Sequence, residues 1–337
     1  MKRVLFLFCL SLLAGIFLVN PASYAKKFNF TYSIFFPSSH DQYKTAAAWA
    51  KEVEKQTGGR VHIVMFPGGT LTKAKNCFDG VVKGISDIGM SCFAYTRGRF
   101  PVMEAADLPL GYPNGVTASE TVNNFYLKTR PEELSKVKVL YIHAHGPGLL
   151  HTVKPVHDLK DFQRMKIRST GLSAKVVQTL GGVPVAMSQG ATYEALKKGV
   201  VEGSFGPFEV LKGWRQGEVI KYTTDTSFIG YTTSMFVVMN KRKWNRLPED
   251  IKKIMNDLSL AWVKKHGEAW DKGDMKAKRY SLRLGNKFIN LSDDEKNKWE
   301  KKVSSVIDDY IKTASVKGVN AKENILYLKS EIKKMQK

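Results

Sequence analysis

In the first part of the chain, the spacing of hydrophobic residues alternates between that of a strand and that of a helix. Residues 28–34 (FNFTYSI) place apolar side chains at every second position, which predicts a strand. Residues 43–53 carry apolar side chains at helical spacing, with Ser38 or Ser39 as the expected N-cap and Gly58-Gly59 as the end. The next predicted strand, helix and strand lie at 61–66, 72–84 and 86–93. This order predicts a mostly parallel sheet with helices on both faces.

The second half of the chain repeats this plan. Its predicted strands and helices alternate at 164–170, 172–182, 183–187, 191–199 and 200–205. Residues 136–148 are predicted to form one long strand that crosses from one lobe to the other. Residues 231–240 are predicted to form the strand that crosses back. From Trp244 onward, long lysine-rich helices follow. We therefore predict an α/β protein with two lobes, each a mostly parallel sheet flanked by helices, and with long C-terminal helices.

The N-terminus has the pattern of a targeting segment. Two cations precede an apolar run from Val4 to Val19, and Ser23 and Ala25 occupy the small-residue positions of a cleavage site. We predict that residues 1–25 are a cleaved signal peptide and that the mature chain is periplasmic. An uncleaved membrane anchor is the alternative, because the run is close to the shortest length that spans a membrane.

The mature chain is longer than a single hydrophobic core usually organises, so two lobes are expected. We assign residues 26–147 plus 234–280 to lobe I. Residues 148–233 plus 281–337 form lobe II and the C-terminal helices. No low-complexity linker separates the lobes, which predicts that paired crossing strands join them.

The chain is strongly basic. It has 53 Lys and Arg against 31 Asp and Glu, and its formal net charge of +22 becomes +20 once Lys2 and Arg3 are removed. Such a charge suits nucleic acid, an anionic membrane surface or anionic small ligands. The lysines are scattered over amphipathic helices without a nucleic-acid-binding motif, so we expect solvated helix faces and no nucleic-acid partner. A polyanion-binding protein stays as an alternative.

Arg168 lies at the end of a predicted strand. Met165 and Ile167 alternate with Lys166 and Arg168, which by itself describes a half-exposed strand with a solvated arginine. In an open α/β sheet, however, ligands bind beyond the carboxyl ends of the strands. Two facing lobes would bring into one cleft the loops at 37–41, 67–70, 94–99, 168–171, 188–191 and 206–209. A guanidinium in that cleft suits a carboxylate, because its parallel donors match the two oxygens.

Six further residues in or beside these loops, and one at the start of the returning strand, are candidate ligand contacts. Aromatic rings would wall an apolar pocket, and a cation or a helix N-terminus would attract an anion. For each residue the alternative is an ordinary core, capping or surface role. The candidates are Tyr95, Phe205, Phe208, Tyr231, His40, Asp41 and Arg97.

The chain lacks familiar catalytic motifs. It contains no P-loop, no G-x-G-x-x-G after a strand, no H-E-x-x-H, no C-x-x-C pair and no G-x-S-x-G. His143 and His145 could face one side of a strand, but their neighbourhood offers no further metal ligands, so we expect neither metal nor cofactor. A secreted α/β hydrolase or lyase that acts on an anionic small molecule through His40 or His145 is the alternative, since triads are recognised by geometry. Cys77 and Cys92 either pair or remain two buried thiols.

Several segments, taken in order, resemble a known family. They are PGGTLTKAKNCFDGVVKGISDIGM, YTRGRFPVMEAADLP, LKDFQRMKIRSTG, LGGVPVAMSQGATYEALKKGVVEGSFGPFE and FVVMNKRKWNRLPEDIKKIM. Together they are similar to the extracytoplasmic solute-binding subunit of TRAP (tripartite ATP-independent periplasmic) transporters, the DctP-type group. The similarity covers nearly the whole mature chain and rests on the order and spacing of the segments.

The resemblance implies a non-enzymatic, type II-like two-lobe periplasmic binding protein that closes on an organic acid and delivers it to TRAP permease membrane subunits. It implies that Arg168 pairs with the ligand carboxylate. The family often has an asparagine where this chain has Gly206. With Phe205 and Phe208 nearby, this difference favours a branched or aromatic hydroxy or oxo acid, and a short dicarboxylate or a sulfonate stays open. We expect a monomer or a weak dimer.

Overall fold

The structure is a computed structural model that describes residues 26–336. The predicted signal peptide, residues 1–25, lies outside the described residues. Within the described range, no helix combines the length and the apolar character needed to cross a membrane.

Strands and helices alternate along both halves of the chain. The strands are β1 (Phe28–Ile34), β2 (Val61–Phe66), β3 (Ile88–Cys92), β4 (Val137–Ala144), β5 (Leu149–Thr152), β6 (Lys166–Ser169), β7 (Val183–Ala186), β8 (Gly203–Gly206), β9 (Tyr222–Thr224), β10 (Ser234–Asn240) and β11 (Lys287–Ile289). The helices are α1 (Asp41–Gln56), α2 (Cys77–Lys83), α3 (Gly115–Thr129), α4 (Leu159–Phe162), α5 (Gly171–Thr179), α6 (Thr192–Lys197), α7 (Val210–Gly213), α8 (Lys241–Asn245), α9 (Glu249–Arg283), α10 (Asp293–Ser315) and α11 (Ala321–Met335).

These strands form two sheets, and the predicted two-lobe α/β class is confirmed. The first sheet has the order β2-β1-β3-β10-β4, and the second has the order β11-β9-β5-β8-β6-β7. Pairs that flank a crossover helix are parallel, such as β1 with β2 and β6 with β7. Both sheets are nevertheless mixed, because β10 runs antiparallel to β3 and β4, and β5 runs antiparallel to β8 and β9.

The passage between the two sheets is not one continuous strand. The predicted strand at 136–148 is interrupted, because β4 ends in the first sheet and β5 begins in the second after a Gly-Pro-Gly turn. Gly148 is required there, since a Cβ on it would overlap the Tyr231 ring. The two crossing segments are joined, because the Gly148 amide donates a hydrogen bond to the Tyr231 carbonyl at 3.1 Å.

The N-cap of helix α1 lies one residue beyond the last position predicted for it. Neither Ser38 nor Ser39 is the N-cap; His40 is, and its Nδ1 accepts a hydrogen bond from the Gln42 amide at 3.1 Å. The imidazole nitrogen satisfies one of the amides that the first turn of a helix leaves without an intrahelical partner. This contact holds the His40 ring in one orientation and fixes which ring nitrogen can carry a proton.

The long C-terminal helices are confirmed. Helix α9 alone contains 35 residues, and it packs on α1, α3 and β4 of the first lobe and also on α7, next to the second sheet. The sequence boundaries assigned to the two lobes stay a prediction.

Cys77 and Cys92 are two free, buried thiols. Burial raises the pKa of the Cys77 thiol to about 12, so it stays protonated at neutral pH. Of the two possibilities that the sequence left open, a disulfide or two buried thiols, the structure therefore shows two buried thiols.

Candidate functional site

A central cavity lies between the two sheets, where strand ends from both lobes meet. Its free volume is about 40 Å³, small beside the roughly 300–1,000 Å³ of small-molecule sites, so the lining side chains pack closely around it. Its lining residues are Phe35, Phe36, Cys92, Tyr95, His145, Arg168, Thr170, Gln189, Phe205, Gly206, Pro207, Glu209, Val210, Trp214, Thr233, Met235 and Trp270.

Arg168 is buried in this cavity with only 6% of its surface exposed. Strand β6 positions it, and its Nε and Nη2 groups donate hydrogen bonds to the Met187 carbonyl at 3.1 and 3.0 Å. Those bonds occupy one edge of the guanidinium. Within residues 26–336 the Nη1 group meets no acceptor, so the edge formed by Nη1 and Nη2 can still bind a carboxylate with two parallel bonds.

Aromatic rings form most of the cavity wall. Phe35 and Phe36 directly follow β1, and both lie against Trp214, with ring centroids 6.1 and 5.9 Å away. Trp270, on α9, meets the Phe36 ring edge to face at 5.9 Å. Phe205 comes from β8. Such a wall suits a flat apolar body, because aromatic pairs pack well in stacked and edge-to-face arrangements.

Tyr95 bridges the two halves of the cavity. It follows β3 of the first sheet, and its hydroxyl accepts a hydrogen bond from the amide of Gln189, which follows β7 of the second sheet, at 3.2 Å. Its ring also meets Phe35 edge to face at 5.5 Å. Tyr95 therefore belongs to the cavity wall and to the contact between the lobes.

His40 and Asp41 lie in an outer groove next to the central cavity, and the two cavities share Gln189, Glu209 and Trp214 as lining residues. The buried His40 ring places Nε2 at 2.8 Å from Oε1 of Glu209. Asp41 instead pairs with Lys276 at 2.9 Å on the surface. Burial alone would raise the pKa of the Asp41 carboxyl, but the Lys276 ammonium group outweighs burial and the pKa is lowered.

Three predicted contacts lie away from the central cavity. Phe208 packs against Phe288 at 5.4 Å, on the other side of its loop. Tyr231 stacks behind Phe205 at 4.6 Å and supports that ring without lining the cavity. Arg97 lies in a separate surface groove beside α10. In the loop 207–209, neighbouring side chains point in opposite directions, so membership of the loop does not decide which of them lines the cavity.

Several lining residues were missed from the sequence. Phe35 and Phe36 directly follow a strand, so the strand-end rule could have found them. Trp214 and Glu209 lie after β8, but Trp214 follows a further helical turn. Trp270, in the middle of a long helix, carries no local signal that would separate it from core tryptophans.

The histidines of β4 and of the turn after it are buried and neutral, and His145 also lines the central cavity. Burial lowers the pKa of His143 to about 3, and His143 Nδ1 accepts a hydrogen bond from Trp270 Nε1 at 3.2 Å. Burial and, to a smaller extent, the Arg168 charge lower the pKa of His145 to about 4. Residues 26–336 contain no group of three or more His, Cys, Asp or Glu side chains arranged to hold a metal ion.

Comparisons with known proteins agree with this geometry. The family model described as bacterial extracellular solute-binding protein, family 7 (DctP), matches residues 32–313. A TRAP periplasmic solute-binding protein from Desulfovibrio salexigens is 33% identical, with a TM-score of 0.81 and coverage of 91% of this chain and 96% of that one.

Two further solved structures are similar and carry aromatic ligands. A marine metagenome TRAP solute-binding protein, described as specific for aromatic acid ligands and solved with 3-hydroxybenzoate, is 28% identical. Its TM-score is 0.88, with coverage of 93% of this chain and 100% of that one. A Bordetella bronchiseptica protein with bound (R)- and (S)-mandelate is 27% identical, with a TM-score of 0.85 and coverage of 91% and 99%.

Proposed function

Because the chain belongs to the DctP family, the family 7 bacterial extracellular solute-binding proteins, we propose that it captures an aromatic or branched monocarboxylic acid. It then delivers this acid to the membrane subunits of a TRAP transporter. Proteins of this family bind solutes for transport and are not enzymes. The proposal includes secretion to the periplasm after cleavage of residues 1–25.

The position of Arg168 in an aromatic cavity is the observation that carries this proposal. Among the residues of 26–336 that line the central cavity, Arg168 is the only Lys or Arg, and Glu209 is an acid. One carboxylate can therefore be matched, whereas a second carboxylate would be buried without a cation and would meet an acid. A monocarboxylate with an apolar body fits this distribution of charge better than a dicarboxylate.

The similar structures support the same ligand class. The marine metagenome protein binds 3-hydroxybenzoate, and the Bordetella bronchiseptica protein binds mandelate. Both ligands combine one carboxylate with an aromatic ring. The hydrolase or lyase alternative loses support, because His40 and His145 make their nearest polar contacts with backbone groups and Glu209 and not with a nucleophilic side chain of the described residues.

Ligand entry requires the lobes to separate, because residues from both sheets enclose Arg168. We propose rotation about the two crossing segments, 145–148 and 230–233, which hydrogen-bond to each other. Closure around the acid would then remove water from the ion pair and strengthen it.

Aromatic monocarboxylates should stabilise the purified protein. We expect benzoate, 3-hydroxybenzoate, phenylacetate or mandelate at 100 times its Kd to raise the free energy of unfolding by about 2.7 kcal/mol. The protein should first be unfolded and refolded to remove carried-over ligand, and melting should be followed by scanning calorimetry. Acetate and succinate serve as controls that lack the ring. If no acid of a broad panel shifted the melting temperature, the proposed ligand class would be wrong.

Gly206 should set the space available for the ring. A Cβ at this position would lie 3.4 Å from the nearest atom, Val210 Cγ1, so Gly206→Ala should be tolerated. The longer Gly206→Asn side chain should enter the cavity and weaken binding of the aromatic acid by about five- to 150-fold, equivalent to the 1–3 kcal/mol typical of overpacking. Titration calorimetry on both variants measures this difference, and equal affinities for Gly206→Asn and wild-type protein would contradict it.

A further inference from the structure

We propose that Glu209 binds a hydroxyl group of the ligand, at a point separate from the carboxylate that Arg168 binds. This inference rests on the proposed function and adds a second recognition point to it. Glu209 is only 4% exposed and lines both the central cavity and the outer groove.

The Glu209 carboxylate is left with an unused acceptor. Its Oε1 lies 2.8 Å from His40 Nε2 and is occupied by that contact. Its Oε2 is buried and has no hydrogen-bond partner within residues 26–336. A buried polar atom without a partner destabilises the protein, and more so when it is charged. A donor from the ligand would remove that cost.

No cation of the described residues neutralises this carboxylate. His40 Nδ1 accepts a hydrogen bond from the Gln42 amide, which leaves Nε2 as the ring nitrogen that faces Glu209. Asp274 accepts the Glu209 amide at 2.7 Å, and burial together with the Glu209 charge raises the pKa of Asp274 well above its ordinary value. No Lys or Arg of residues 26–336 lies within ion-pair distance of Glu209.

Two glycines leave space for the Glu209 side chain. A Cβ on Gly213 would overlap Glu209 Oε1, and a Cβ on Gly273 would lie 2.9 Å from Glu209 Cγ. Both glycines have ordinary backbone angles, so no turn requires them. Their common effect is to leave room for the carboxylate where it meets the cavity.

The unpartnered acceptor suits a hydroxyl of the ligand. Glu209 Oε2 needs a donor, whereas His40 Nε2 already lies 2.8 Å from Glu209 Oε1. A hydroxyl can donate that hydrogen bond. The acids held by two similar structures, 3-hydroxybenzoate and mandelate, each carry a hydroxyl in addition to the carboxylate. The ligand that Glu209 recognises is therefore a hydroxylated acid.

The test compares matched ligand pairs on ligand-free refolded protein by titration calorimetry. The pairs are 3-hydroxybenzoate with benzoate, and mandelate with phenylacetate. We expect at least one hydroxylated acid to bind about tenfold or more tightly than its parent acid, equivalent to about 1.4 kcal/mol. In Glu209→Gln this preference should shrink to less than about threefold, because a neutral amide accepts more weakly than a carboxylate. Glu194→Gln, on an exposed helix face, should keep the wild-type preference.

Each outcome bears on a different part of the inference. Equal or tighter binding of both parent acids to the wild-type protein would overturn the role of Glu209 while the proposed function stands. An unchanged preference in Glu209→Gln, or a stronger preference for 3-(aminomethyl)benzoate than for 3-hydroxybenzoate, would also overturn it. Binding of no acid would overturn the proposed function itself. If Glu209→Gln does not fold, a crystal structure of the wild-type complex decides, because the ligand hydroxyl must lie within about 3.2 Å of Glu209 Oε2.

Discussion

Arg168→Ala should weaken binding of the aromatic acid by about 2–5 kcal/mol, or roughly 30- to 4,000-fold. Most of this loss comes from leaving the ligand carboxylate buried without a partner. Of the described residues in the lining of the central cavity, Arg168 is the only Lys or Arg, so none of the others can replace it.

Arg168→Lys should also bind weakly, although it keeps the charge. The Nε and Nη2 groups of Arg168 are held by the Met187 carbonyl, and the adjoining edge is thereby aimed into the cavity. A lysine ammonium group has no planar fork, so it cannot bind the Met187 carbonyl and both carboxylate oxygens in the same geometry. We expect its affinity to lie between those of wild-type protein and Arg168→Ala.

Titration calorimetry with the acid found in the ligand panel measures both variants. The matched control is Arg97→Ala, which removes a guanidinium from a groove outside the cavity and should leave affinity within about threefold of wild type. Melting of the ligand-free variants separates loss of binding from loss of folding. Near-normal affinity in both Arg168 variants would remove this residue from the site.

Arg168, Tyr95 and Phe205 were predicted from the sequence because each belongs to a strand or closely follows one, and all three line the central cavity. Strand direction and crossover geometry follow from local pattern, and they place such residues at one edge of a sheet. The same reasoning does not bring Phe208 to the cavity, because side chains alternate even just beyond a strand. Pro207 and Glu209 line the cavity, while Phe208 points the other way.

Other features depend on contacts between distant segments. Trp270 lies on α9, far along the chain from the strand-end loops, and only the packing of that helix brings it to the cavity. Strand β10 runs antiparallel because it pairs with β3 and β4. The alternation of apolar and polar residues within β10 does not indicate which strands it will pair with. The contact of His40 with Glu209 likewise joins the first helix to a loop of the second sheet.

Asp107→Asn should stabilise the ligand-free protein by roughly 3–4 kcal/mol above pH 7 and by less than about 1 kcal/mol at pH 4. Asp107 is buried, and its Oδ1 accepts hydrogen bonds from the Ser234 amide at 2.8 Å and the Ser234 hydroxyl at 2.5 Å. These bonds tie the loop before α3 to the start of β10. An asparagine oxygen can accept both, so the contact should survive the substitution.

The pH dependence of the Asp107→Asn effect follows from the raised pKa of the carboxyl. Burial raises the pKa of Asp107 from 3.8 to about 7, so the folded protein holds this proton more tightly than the unfolded chain. Its stabilising contribution is complete below the unfolded pKa and is lost as the pH rises through the folded pKa. Asparagine carries no charge at any pH, so the variant avoids this loss.

Urea unfolding of both proteins from pH 4 to pH 9 measures the difference between Asp107→Asn and wild type. The control Asp308→Asn, on an exposed face of α10, should change stability by less than about 0.5 kcal/mol throughout. A difference between Asp107→Asn and wild type that stayed constant from pH 4 to pH 8 would show that Asp107 is already ionised at low pH in the folded protein.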